Sequence, residues 1–433
     1  MPPPDGPLPP TEVRRPSDDE RAGRRVLRNV NVVDVRAGVV RDRQDVLIAD
    51  GRIQRVGKRL EATESVDLAG RYVMPSLIDL HVHPGVMVGL RMDPNGQSPE
   101  RVEHDLQVWL RYGVTTVQSM GLDRPFVFDS AFSGARLLSV GNGFGVEDGV
   151  PPVSMQPPLG PLRITDRAEI RHSLQRLVER GASGVKIWYD DWYRQMPKMA
   201  ADVARTIIEI SRELGLRSQA HVYYVDDAQS LLQAGLDVLA HMPRDRIVDQ
   251  TFIKAMRASN AVVIPTITVP ESNVAYEARP DWLSDPLLER FLPPGGRQYL
   301  ASKELAEAIR AKPEFPELWP DLERAKRNTA LLYEAGARVA FGTDSGVSNR
   351  IIGFAEHREL EHLVNLGVTP ADALRMATLI NAEVLGLSDD VGSIEAGRRA
   401  DLVVLRNNPL ESISHTRTIE SVWQDGVQVA GAL

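Results

Sequence analysis

The sequence predicts an α/β protein: a (β/α)₈ TIM barrel with a small β-sandwich domain built from both chain ends. Three observations predict it. Eight strand-like apolar runs alternate with helical patterns through the middle of the chain, which is the signature of βα units around a parallel sheet. Short β-like runs stand at both ends, before and after that stretch. Polar residues gather at the C-terminal ends of the central strands, where barrels of this kind place their active sites.

Residues 1–24 come first. They are rich in proline and charge and lack the apolar centre of a signal peptide, so a disordered tail is expected. Residues 25–75 read as small antiparallel strands (VLRNVNVVDV, then DVLIADGRIQRVG), with Asp50-Gly51 as a hairpin turn. This is the N-terminal part of the β-sandwich. The barrel spans 76–384, with strands in VMPSLIDLHVH, GVTTVQSM, ARLLSVG, GVKIWY, LRSQAHV, DVLAH, AVVIPTI and RVAFGTD. Helical patterns such as PKMAADVARTIIEISRELG lie between them. Residues 385–433 return to short strands, GSIEAGRRADLVVL and TIESVWQDGVQVA, and complete the sandwich. Two connections are too long for plain βα loops, 142–165 and 271–326; such segments form lids, substrate walls or peripheral decoration.

With 433 residues, 42% hydrophobic and 25% charged, the chain can bury one large core plus an accessory layer. The net charge of −8, without a Lys/Arg-rich block, argues against nucleic acid as a partner and for a small-molecule substrate. No run is apolar and long enough to span a membrane, and cytoplasmic residence is the default expectation. The chain has no cysteine, so a metal would be held by nitrogen and oxygen alone.

His81 and His83 end the first strand run, Lys186 lies on the fourth, His221 on the fifth, His241 on the sixth and Asp344 on the eighth. Residues two apart on a strand point the same way, so His81 and His83 can grip one ion from the barrel mouth. A lone His-x-His is as often a structural pair. Its recurrence with His, His and Asp on three further strand ends is what singles out a metal site. Imidazole and carboxylate suit Zn²⁺, and also Mn²⁺, Co²⁺ or Fe²⁺.

The ordered motifs MPSLIDLHVHPG, GVKIW, AHV, LAH and FGTDSG resemble those of the amidohydrolase superfamily, in its imidazolonepropionase-like and prolidase-like branch. The tail NAEVLGLSDDVGSIEAGRRADLVVL resembles the return to that family's β-sandwich. The resemblance runs from about Val26 to the C-terminus. It implies a metal-dependent hydrolase in which His81, His83 and Asp344 hold one divalent ion and His221 and His241 a second, zinc being the first expectation. Lys186 matches the family's strand-four lysine, which becomes N-carboxylated and bridges the ions; a carbamate offers anionic oxygens where an ammonium has no lone pair. Asp344 would also move the proton of the attacking, metal-bridging hydroxide, and Tyr223, two positions after the strand-five histidine, would hydrogen-bond the tetrahedral intermediate or the substrate.

The expected reaction is amide hydrolysis on a dipeptide such as Xaa-Pro or on an N-acyl amino acid. A lactonase or phosphotriesterase could use the same ligands. A mononuclear deaminase or imidazolonepropionase-type enzyme would use His81, His83, His221 and Asp344, but deaminases carry a glutamate three residues after the strand-five histidine, where Tyr224 stands here. A non-catalytic scaffold would be expected to lose ligands that are all present. No serine-hydrolase G-x-S-x-G elbow occurs, and Gly141, Gly143, Gly145 and Gly149 do not follow dinucleotide-binding spacing. His357 is expected to be a solvated helix histidine, Arg136 and Tyr189 are candidate substrate contacts, and a homo-oligomer is left open.

Overall fold

The computed structural model describes every residue except 1, 2, 5–8, 153–159 and 348. Parallel strands Leu77–Val82, Val114–Ser119 and Arg136–Ser139 form one group, and Val185–Trp188, Ser218–His221, Val238–Leu239 and Val262–Val263 another. Backbone bonds join the two groups into a ring. Ser183 N–H donates to Ser139 O and Phe144 N–H to Lys186 O on one side. On the other, the segment 338–345 serves as the eighth strand: Ala340 N–H donates to Val263 O, Leu80 N–H to Phe341 O and His83 N–H to Ser345 O. All eight strands are short, and those of the second group contribute only two to four residues each, so side-chain packing rather than ladder length carries the barrel.

The surrounding helices follow from amphipathic spacing. Ala201–Glu213 buries Val203, Ala204, Ile207, Ile208 and Ile210 on one face. Val225–Ala234, which links strands five and six, stops at Gly235 in a left-handed conformation (φ 89°) whose N–H bonds the Leu231 and Leu232 carbonyls. Both histidine-bearing strands are thereby set at a defined distance in sequence and in space.

The chain ends meet in one eight-stranded sheet. Arg25–Asp34 pairs antiparallel with Val39–Ala49 and parallel with Tyr72–Pro75, and the latter pairs antiparallel with Leu402–Leu405. Leu27, Val30, Val32, Ile48, Leu402 and Trp423 share a core there.

Two expectations differ from the structure. The described part of the 1–24 segment carries local structure, though much of it stays exposed: Arg14 N–H bonds Val429 O, and Asp18–Ala22 forms a helix with a Ser17/Glu20 capping box. Local capping and backbone docking on the last strand supply what its composition does not. The 271–326 segment is not a loop but a series of helices, including Thr268–Ala278, Lys303–Arg310 and the start of Phe315–Glu334. It buries Val274, Leu283, Leu288, Leu300, Leu305 and Leu318 in a core of its own. Part of the 142–165 connection, 153–159, lies outside the described residues. Among the described residues no helix is long and apolar enough to cross a membrane.

Candidate metal centre

At the C-terminal mouth of the barrel, one ligand atom each from His81, His83 and Asp344 lie within 4.8 Å of one another, and all three residues are buried. The histidine rings are held from behind: His81 Nδ1 donates to Ala240 O (3.1 Å) and His83 Nδ1 to Gly121 O (3.0 Å). Donation from Nδ1 leaves the lone pair on Nε2. Both Nε2 atoms face Asp344 Oδ1, at 3.6 Å and 3.0 Å. Burial, with Lys186 adding to it, drives the His81 imidazolium pKa far below its ordinary value. Burial works against ionising Asp344 too, but Arg350, His81 and His83 overcome it and hold its pKa well below the usual carboxylate range. A neutral imidazole lone pair aimed at a carboxylate is repulsive unless a cation lies between them, so this trio has the electrostatics of a cation site.

The loop around Asp344 explains the FGTDSG motif. Asp344 adopts a left-handed backbone (φ 58°), a conformation that costs a non-glycine residue energy and persists only when its surroundings enforce it. Here its N–H bonds His81 O (2.6 Å), and Arg350 grips both its carbonyl oxygen (2.6 Å) and Oδ2 (3.0 Å). A Cβ at Gly346 would come within 2.4 Å of His83 O. Beneath, Asp79 accepts from Thr343 Oγ1 (2.6 Å) and His81 N–H (2.8 Å), tying the first and eighth strands together.

Three further predicted residues complete the cluster. His241 lies tilted beside His81 (ring centroids 4.9 Å apart) and edge-on to His221 (4.4 Å). Thr266 Oγ1 donates to Pro265 O, so it accepts from His241 Nδ1 (2.8 Å), and His241 Nε2 is left as the lone-pair atom. His221 uses the opposite nitrogen: Nε2 faces Asp190 Oδ2 at 3.0 Å, while Nδ1 is buried without a hydrogen-bond partner. Lys186 is fully buried, its Nζ has no hydrogen-bond partner, and it lies 4.7 Å from the Trp188 ring centroid. Burial pulls the Lys186 pKa down to about 7, against the opposing charge of Asp344. An unpartnered buried ammonium costs on the order of several kcal/mol. These orphaned atoms fit a bound cation, with the lysine in a form other than the ammonium.

A profile of the amidohydrolase family matches residues 72–429. The chain belongs to the amidohydrolase family. This amidohydrolase is 24% identical over 408 residues to an imidazolonepropionase of Deinococcus deserti, covering 89% of the chain and 91% of that protein. It is 38% identical over 108 residues to a dihydroorotase of Halalkalibacterium halodurans, a match confined to 24% of the chain and 23% of that relative's length. A solved Xaa-Pro dipeptidase with methionine in its active site superposes with a TM-score of 0.73 at 20% identity, over 94% of this chain and 100% of that one. That likeness shows the fold. Family membership makes the chain a hydrolase acting on small molecules.

The amidohydrolase's ligand cluster opens into a cavity of about 420 Å³ whose walls come partly from the helical insertion, through Val269, Tyr299, Leu305 and Ile309. Val150 and Pro151 of the 142–165 connection also line it. Tyr223 faces this cavity, but its hydroxyl donates to Asp321 Oδ1 (2.9 Å). With its proton committed, it is not the free donor expected for a tetrahedral intermediate. Tyr224 bonds Asp191 (2.8 Å).

His357 is buried rather than solvated. Its nitrogens contact Thr416 Oγ1 and Tyr112 O, and burial drives its pKa to about 3. Arg136 pairs with Asp401 (3.4 Å) of the β-domain, away from the cavity; strand three begins at the barrel's far end. Tyr189 is buried beside Lys198 and does not line the cavity.

Sequence reasoning missed Asp190, Trp188, Arg244 and Arg350, all of which line the cavity. Asp190 was findable as the acid closing strand four after Lys186. Arg350, six residues beyond Asp344, carries no spacing signal; only the left-handed turn at Asp344 brings it back.

Proposed function

We propose that this amidohydrolase cleaves an amide bond in a small substrate, a dipeptide such as Xaa-Pro or an N-acyl amino acid. The observation that supports it most is the convergence of His81, His83, His221, His241 and Asp344 on one cavity, with the unpartnered Lys186 Nζ buried beneath it. His81, His83 and Asp344 would hold one divalent ion, and His221 and His241 a second, with Lys186 N-carboxylated between them. Zinc is the first candidate by ligand type. When bound, such ions lower the pKa of water toward neutrality and polarise a scissile carbonyl.

The chain's own residues do the rest. Asp344, locked by Arg350 and the strained turn, accepts the proton of the attacking water at its carboxylate and returns it to the leaving nitrogen, a role that requires a fixed base within hydrogen-bond reach. Asp190 fixes the His221 ring and Thr266 the His241 ring, so neither reorients during turnover. The largely apolar walls exclude bulk water around the reacting bond. Tyr224 stands where a deaminase of this fold would carry its proton-shuttling glutamate, which favours hydrolysis over deamination.

The test combines elemental analysis of protein purified without chelators with an activity screen over dipeptides, N-acyl amino acids, lactones and phosphotriesters. About two metal equivalents with amide turnover is the expected result. One equivalent would point to a mononuclear enzyme, and none after reconstitution with Zn²⁺ or Mn²⁺ would overturn the proposal.

A further inference from the structure

Four cationic side chains line the cavity: Arg91, Arg244, Lys312 and Arg350. Three have acidic company. Arg91 bonds Asp93 (3.3 Å), Lys312 has Glu314 beside it, and Arg350 is held by Asp344 and Ser272. Arg244 has none. It is 7% exposed, its Nε is buried without an acceptor, and among the described residues its guanidinium makes no hydrogen bond or ion pair. Its guanidinium carbon lies over the face of Tyr223, 5.0 Å from the ring centroid.

The carboxylates around it are already engaged. Asp190 takes His221 Nε2 and the N–H groups of Asp191 and Trp192. Asp321 takes the hydroxyls of Tyr223 and Tyr193 and one nitrogen of Arg324. Arginine stays charged under any physiological condition, and a buried guanidinium whose nearby carboxylate is shared with other donors keeps N–H groups for a further acceptor. The rigid stacking on Tyr223, whose own hydroxyl is anchored on Asp321, presents the guanidinium ready-made rather than leaving it to be ordered on binding.

We propose that Arg244 is the anchor for a free carboxylate on the substrate, so that this enzyme's substrates are anionic and neutral lactones or triesters are poor ones. The assignment rests on the amide-hydrolase reading above and narrows it. Arg244 follows His241 by three residues, so the anionic end of the substrate lies on the strand-six side of the cavity. The remainder of the ligand faces Val269, Leu305, Ile309 and Leu318 across the cavity, which suits an apolar acyl or aminoacyl group. A carboxylate can take two parallel N–H bonds from a guanidinium, which sets orientation as well as affinity.

The experiment compares N-acyl-L-amino acids with their C-terminal carboxamides on the metal-loaded wild type, R244Q and R244K. The wild type is expected to prefer the free acid in kcat/KM by on the order of 100-fold, the usual scale for an engaged charge pair. R244Q should erase that preference by slowing the acid alone, and R244K should keep part of it. Equal losses on acid and carboxamide in R244Q, or no preference in the wild type, would overturn the proposal and return Arg244 to packing on Tyr223. If the wild type hydrolyses no amide, the function proposed above fails, and calorimetric binding of the N-acyl amino acid decides Arg244 separately. Binding to the wild type but not to R244Q would uphold the anchor, and equal or absent binding in both would sink it.

Discussion

The two halves of the ligand cluster are built differently. In the half formed by strands one and eight, Asp344 Oδ2 is held by a guanidinium at 3.0 Å, while its Oδ1 faces two imidazole nitrogens at 3.0 and 3.6 Å without a hydrogen bond. In the half formed by strands four to six, Lys186 Nζ and His221 Nδ1 are unpartnered, and Asp190 engages His221 Nε2. The first half carries one counter-charge, Arg350, and a left-handed turn at Asp344 held by Arg350 and by a backbone bond to His81. The second half has donors in search of a centre. The difference teaches that Arg350 fixes one carboxylate oxygen in the first half, whereas in both halves the atoms facing the centre are left for what binds there.

The sharpest way to break that contrast is Asp344→Asn. Turnover should fall by roughly 10³-fold or more, the scale of losing a general base, while circular dichroism remains native. A variant that keeps its kcat would remove Asp344 from proton transfer. Next in size, Lys186→Ala should lower metal content by elemental analysis and cut activity by more than the ~10–100-fold cost of an outer-shell partner. Added short carboxylic acids should restore part of the rate; unchanged metal and rate would dismiss the carbamate.

Asp190→Asn acts on the second half alone. It should weaken binding of one metal equivalent by about 10–100-fold, leaving the other as tight as in the wild type, and titration against a chelator would reveal the asymmetry. Equal weakening of both would erase the distinction between the halves. The smallest effect belongs to Tyr223→Phe, which removes a hydrogen bond to Asp321 and should cost about 1 kcal/mol in denaturant unfolding with less than about a fivefold change in kcat. A hundredfold drop would reinstate the hydroxyl in the chemistry.

Much of the site was legible because strand periodicity is strict. The spacing of His81 and His83, and the placement of histidines and Asp344 after apolar runs, follow from a period of two and from the rule that barrel sites lie at strand C-termini. The 271–326 segment misled because its apolar residues serve a second core and the cavity wall rather than the barrel strands, so it read as a long loop. His357 misled for a related reason: an amphipathic helix pattern does not say which buried polar groups meet it, and Thr416 and Tyr112 come from 59 residues later and 245 residues earlier.

The sequence by itself determined the α/β class, the barrel with its β-domain from both ends, and the residues able to bind a metal, because these depend on local periodicity and donor chemistry. Only the tertiary structure decided which donors are spoken for. Asp321 takes the proton of the Tyr223 hydroxyl, Asp190 claims His221, Arg350 binds Asp344, and the Arg244 guanidinium is left without a hydrogen-bond partner among the described residues. Each outcome depends on which charges long-range packing brings within a few ångströms, and Coulomb energies at that range vary with separations that no sequence spacing encodes.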